Sequence, residues 1–178
     1  MKGKKSVYLV VIIIILIAIV ALQYRDNAKI KTIQGEVAEN KIDWLQIQLK
    51  IVSEDLSSTK IPEKEYIDET SAKFSEDTVL LNGIIFSSGM PLTYLDMIRM
   101  DLVRMSSDLK NKKSEKEILD TKQLALDKMA ILQNELNYIR ENCKTNAIKY
   151  YQLSKPNNLI MKKIDKEMID YLNKNNIH

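Results

Sequence analysis

One histidine, His178, and one cysteine, Cys143, are the only imidazole and the only thiol this chain can offer for general-base, metal-ligating or nucleophilic work. His178 is the last residue, in an Asn-rich tail over 175–178 that is expected to fray. No Ser-His or Cys-His pair can then be assembled in the interior. The sequence also has no Gly-rich phosphate loop, no paired cysteines and no His-Glu zinc spacing. Glu63, Glu65, Asp68, Glu69, Glu76 and Asp77 come nearest to a hard-cation site. They spread along a helix start instead of converging on a turn, so they read as a solvated face that suits the helix dipole. Carboxylate pairs of the kind used in glycoside hydrolysis can be picked from any charged helix and are not specific. Cys143 falls on an apolar stripe and reads as a small buried hydrophobe; the other reading is an exposed thiol for an intermolecular disulfide. The sequence therefore supplies no catalytic, cofactor-binding or metal-ligating residue and points away from an enzyme.

What must position any site is a set of helices behind an apolar leader. Lys2, Lys4 and Lys5 precede an uncharged run from Ser6 to Tyr24, which Arg25 and Asp26 close. Those 19 residues make a helix of roughly 28 Å, close to the hydrocarbon thickness of a bilayer. Tyr8 and Tyr24 stand near its ends, where amphipathic rings favour the interface. The run is longer than a signal-peptide core, and Ala18 and Ala21 are three apart where a cleavage site wants two. An uncleaved anchor over 7–24 is expected, with a basic tail over 1–6 held in the cytoplasm by the positive-inside bias and the remainder outside.

Charge supports that division. The chain carries 27 Lys plus Arg against 24 Asp plus Glu, and the three lysines of the tail account for the whole excess. From residue 25 onward the two signs balance, 24 of each, so nucleic acid is not an expected partner. Residues 26–77 are predominantly acidic and residues 140–178 predominantly basic, which suits helices packed side by side. A lone cysteine allows no internal disulfide, and about 150 residues can build a core without one. Heavy use of Lys, Ile and Asn, with no Asn-x-Ser/Thr sequon, fits a bacterium with an A/T-rich genome.

Helical periodicity dominates residues 25–174. Ile30, Ile33, Val37, Asn40, Trp44, Ile47 and Ile51 step by three and four, an a/d heptad seam. Ile42, Leu45, Leu49, Val52 and Leu56 make a second stripe, so this helix is expected to run to about Thr59 and to be buried on more than one side. Trp44 reads as a core anchor. A second helix from Pro62 or Glu63 carries Ile67, Thr70, Phe74, Leu81 and Ile84, interrupted by Asp77, and should stop between Phe86 and Gly89. Pro91 opens a third, with Leu95, Ile98, Leu102, Met105 and Leu109 in heptad spacing. Its Met97, Met100 and Met105 read as core filler. Ser114 and Glu117 form a capping box for a fourth helix reaching Leu153, with Ile118, Ala125, Met129, Leu132, Leu136, Ile139, Cys143, Ala147 and Tyr150 on its seam. Lys155-Pro156-Asn157 breaks it before a short last helix.

The expected fold is all-α: an N-terminal transmembrane helix followed by an antiparallel bundle of four long helices plus a short C-terminal one. A long parallel coiled-coil dimer is the alternative, and the breaks near residues 60, 89 and 112 favour folding back. The expected role is non-catalytic interaction or scaffolding, with the membrane and another envelope protein, or a second copy, as partners. The competing role is a ligand-sensing or signalling bundle acting through a partner membrane protein. In plan it is similar to the membrane-proximal helical input domains of chemoreceptors, without their returning membrane helix.

Overall fold

The computed structural model describes the backbone of residues 2–81 and 89–174, and the side chains from 13 onward other than Leu80. These residues form six helices and no strand: α1 (Lys2–Ser58), α2 (Lys64–Leu81), α3 (Met90–Lys110), α4 (Glu115–Cys143), α5 (Ala147–Leu153) and α6 (Leu159–Lys174). The first four make an up-and-down bundle, each antiparallel to the next. Tyr66 on α2 donates to Asp55 near the end of α1, at 3.0 Å. Ser106 on α3 donates to Asp68 on α2. Lys128 on α4 pairs with Asp101 on α3, and Gln46 on α1 bonds Asn137 on α4 at 2.8 Å. α6 then lies along α3 and α4, where the Tyr94 hydroxyl donates to the Met168 carbonyl at 3.0 Å. α5 packs on α1.

Local chemistry sets the boundaries. At the start of α4 the Ser114 hydroxyl accepts from the Glu117 N–H while the Glu117 carboxylate accepts from the Ser114 N–H, the reciprocal box the sequence announces. Pro91 sits in the first turn of α3, where a missing N–H costs nothing. α1 ends differently, with help from another helix. Lys122, buried on α4, donates from Nζ to the carbonyls of Leu56 (3.0 Å), Thr59 (2.8 Å) and Lys60 (3.3 Å). A helix end leaves carbonyls without intrahelical donors, and an ammonium there also suits the dipole.

Three expectations are corrected. The fourth helix does not reach Leu153. It stops at Cys143, Lys144 takes φ 52°, and the Asn146 side chain caps a separate α5 by accepting from the Lys149 N–H. The bundle therefore has six helices where four long and one short were expected. α1 is not buried on both stripes: Ala38, Ile42, Leu45, Leu49, Val52 and Leu56 enter the core, while the heptad seam from Ile30 to Ile51 faces out. Trp44 belongs to that outer seam and anchors no core. The remaining seams are placed as expected, with Phe74, Leu95, Ile98, Leu102, Met129, Leu136 and Cys143 in one continuous cluster. Ile84 and the expected end of α2 lie outside the described residues, as do His178 and the tail over 175–178.

α1 extends well beyond the bundle. Every side chain from Ile13 to Lys31 is exposed, and contact with the rest of the protein begins near Gly35. Among the described residues no helix is long and apolar enough to cross a membrane. The span expected over 7–24 includes residues 7–12, whose side chains lie outside the described residues.

Candidate interaction surface

Groups that could do chemistry are held in ways that blunt them. Cys143 is fully buried, and burial pushes its thiol up to about 11, with Glu39 adding to the shift and Lys149 opposing it. A thiol so placed is neither nucleophile nor ready disulfide partner. The acidic residues of α2 do not converge. Asp68 is occupied by Lys64 and Ser106, which hold its carboxyl below the usual range. Asp77 was expected on a solvated face and is instead buried, and burial raises its carboxyl to about 6. Among the described residues no group of three or more His, Cys, Asp or Glu is placed to hold a metal ion.

Two further buried charges escaped the sequence reading. Lys128 is paired with Asp101 inside the α3/α4 contact. Glu135 lies under α6, raised to about 7 by burial first and then by Glu167, with Lys163 opposing. Neither interrupts an apolar stripe, so no pattern marked them. Long stems that lie along apolar surface let such residues occupy core-facing positions unannounced.

A polar lattice ties α1 to α4. Arg140 pairs with Asp43 (Nε to Oδ1, 3.1 Å) and donates from Nη1 to Gln46 Oε1 at 3.0 Å, and Gln46 in turn donates to Asn137. The shallow groove above it, of about 360 Å³, is lined by these residues with Ile47, Lys50 and Gln133. The ion pair joins an acidic stretch to a basic one, as the charge pattern suggests. It is partly solvated and worth little by itself. The rotation of α1 about its axis is set by the buried stripe from Ala38 to Leu56, and these polar contacts agree with it.

That rotation leaves an apolar stripe bare. Ile30, Ile33, Val37, Trp44, Ile47 and Ile51 are between 41% (Trp44) and 56% (Ile47) exposed. At 3.6 residues per turn the stripe lies roughly 150° around α1 from the buried one. An apolar strip this continuous is unusual on a surface with no partner. Lys41 lies 6.0 Å from the Trp44 ring centre, at the outer limit of a cation–π contact. Met100 is also exposed, so of Met97, Met100 and Met105 only Met105 is core filler in full.

No protein-family model, curated protein or solved structure matches this chain.

Proposed function

We propose that this chain is a single-pass, membrane-anchored scaffold or interaction protein without catalytic activity. Its N-terminus lies in the cytoplasm and its helical bundle outside, and the outer face of α1 is the binding surface. The observation that carries this is the bare stripe from Ile30 to Ile51, opposite a fully buried one on the same helix. Apolar residues at strict heptad spacing match a partner helix better than they match water. The anchor is supported by the sequence from Lys2 to Arg25 and by the way α1 stands clear of the bundle over Ile13 to Lys31. In this arrangement the stripe begins a few residues beyond Arg25, beside any other protein held in the same membrane.

Crosslinking in intact cells, followed by affinity capture and mass spectrometry, tests the role. The same experiment on the Ile33→Lys, Ile47→Lys double variant supplies the control. A specific protein recovered with the native chain and lost from the variant is the expected result. Equal recovery from both would sink the assignment of the stripe. An impermeant maleimide applied to cells carrying Val103→Cys, exposed on α3, tests the topology: labelling without permeabilisation is expected, and labelling only after it would reverse the orientation.

A further inference from the structure

We infer that the occupant of the α1 stripe is a second copy of this chain, packed parallel and in register as a two-stranded coiled coil over residues 30–51. This deepens the proposed role and rests on the stripe being a binding surface.

The heptad assignment is fixed by the spacing. Ile30, Val37, Trp44 and Ile51 take a positions and Ile33, Asn40 and Ile47 take d positions, three heptads over roughly 33 Å. All are exposed, and the buried residues of the same helix take b and f. The seam therefore faces away from the bundle.

Charges at the flanking positions choose the orientation. In a parallel pair each g residue faces the e residue five places on in the other copy. That sets Glu36 against Lys41 and Lys50 against Asp55, both attractive, with Lys29 against Gln34 and Asp43 against Gln48 neutral. Reversing one copy about the Asn40–Trp44 layer sets Asp43 against Asp43 and Lys41 against Lys41, and keeps only Glu36 against Lys50 as an attractive pair. Such solvated pairs add little affinity, and the parallel in-register pair is favoured because it collects the most attractive ones over the full seam.

Asn40 sets the register. In register, each Asn40 amide meets its own equivalent and both can hydrogen-bond. A slip of one heptad places it against Ile33 or Ile47 and leaves a buried amide unpaired. Isoleucine at both a and d layers tolerates more than two strands. The bundle decides against that. The e side of α1 is flanked by α2, where Asp55 accepts from Tyr66, and the g side by α4, where Asp43 pairs with Arg140. The bundle thus reaches both flanks of the seam, which leaves less room for a third strand than for a second.

The test uses the full chain in native membranes, with single cysteines at Ile33, Asn40 and Ile47 and with Val103→Cys as an exposed control on α3. Mild oxidation should give a disulfide-linked band at twice the 20.6 kDa chain mass from each of the three and not from the control. An antiparallel pair can bring at most one of the three sites to its own equivalent, so a single positive overturns the inference, as does a three-copy mass on amine crosslinking of the native chain. A photoreactive phenylalanine at Trp44 separates the remaining failures. An adduct with this same chain supports the second copy. An adduct with a different protein overturns it while the scaffold role stands, and no adduct at all removes both.

Discussion

Gly35 and Ala147 approach so closely that a β-carbon on Gly35 would stand 1.7 Å from the Ala147 carbonyl oxygen. The obstacle is backbone, at the first residue of α5, and cannot rotate away. Mid-helix glycine ordinarily costs about 1 kcal/mol against alanine. Here that cost is outweighed by the contact it admits. Gly35→Ala should push α5 off α1 and lower stability by about 1–3 kcal/mol, as overpacking does. Chemical denaturation of the purified chain measures it. An unchanged or raised midpoint would show that α5 is not seated there.

Lys122 caps a helix to which it does not belong. Replacing it by methionine keeps the packed stem and removes the donors for the carbonyls of Leu56, Thr59 and Lys60. A loss of about 1.5–3 kcal/mol is expected, in line with hydrogen bonds to a charged group. Amide hydrogen exchange should quicken first in the last turn of α1. If it quickens uniformly, the lysine is not acting as a local cap.

Adjacent residues on α1 should respond unequally to truncation. Leu45 is fully buried, and Leu45→Ala should cost about 2–5 kcal/mol. Trp44 is the larger side chain, yet Trp44→Ala should cost the monomer well under half as much, because its ring lies on the outer stripe. Thermal denaturation under conditions that keep the chain monomeric compares them. A larger loss at Trp44 would mean the rotation of α1 described here is wrong.

Asp77 and Glu135 make stability depend on pH in one direction. Burial raises the first to about 6 from an ordinary 3.8, with Glu76 adding and Lys41 opposing, and the second to about 7 from 4.5. The folded state thus keeps protons that the unfolded chain gives up. Their contribution is full below about pH 4 and is lost as pH rises through 6 and 7. Asp77→Asn and Glu135→Gln should each flatten melting temperature against pH, the first between about pH 4 and 6, the second between about 4.5 and 7. Curves parallel to the native one would show that these carboxyls titrate normally.

The elements legible in the sequence were those whose signals are local. Ser114 and Glu117 announce α4 because the cap is made within four residues, and Pro91 marks the first turn of α3 for the same reason. The α3 seam could be read because it is the only apolar stripe on its helix. α1 carries two stripes, and periodicity marks both without saying which meets the core. That choice is made by the core that the other helices present, against which Ala38, Ile42, Leu45, Leu49, Val52 and Leu56 pack, and those partners are distant in sequence. The break after Cys143 left only a slip in the heptad and an Asn at 146, weak marks beside the seam that seemed to continue through Ala147 and Tyr150. Asp77 stands as the one gap in the α2 seam, and because it was grouped with the solvated acids around it, its burial was missed.

α1 is one unbroken helix of 57 residues, roughly 85 Å from end to end. The glycine in its middle, the natural place for such a rod to flex, is clamped by α5 at the point where the bundle begins. The rod therefore carries torque as well as tension. A turn imposed on its N-terminal stretch must swing the whole bundle through the same angle, as a key turns with its shaft. Whatever grips that stretch sets both the height of the bundle and the compass bearing of its outer stripe.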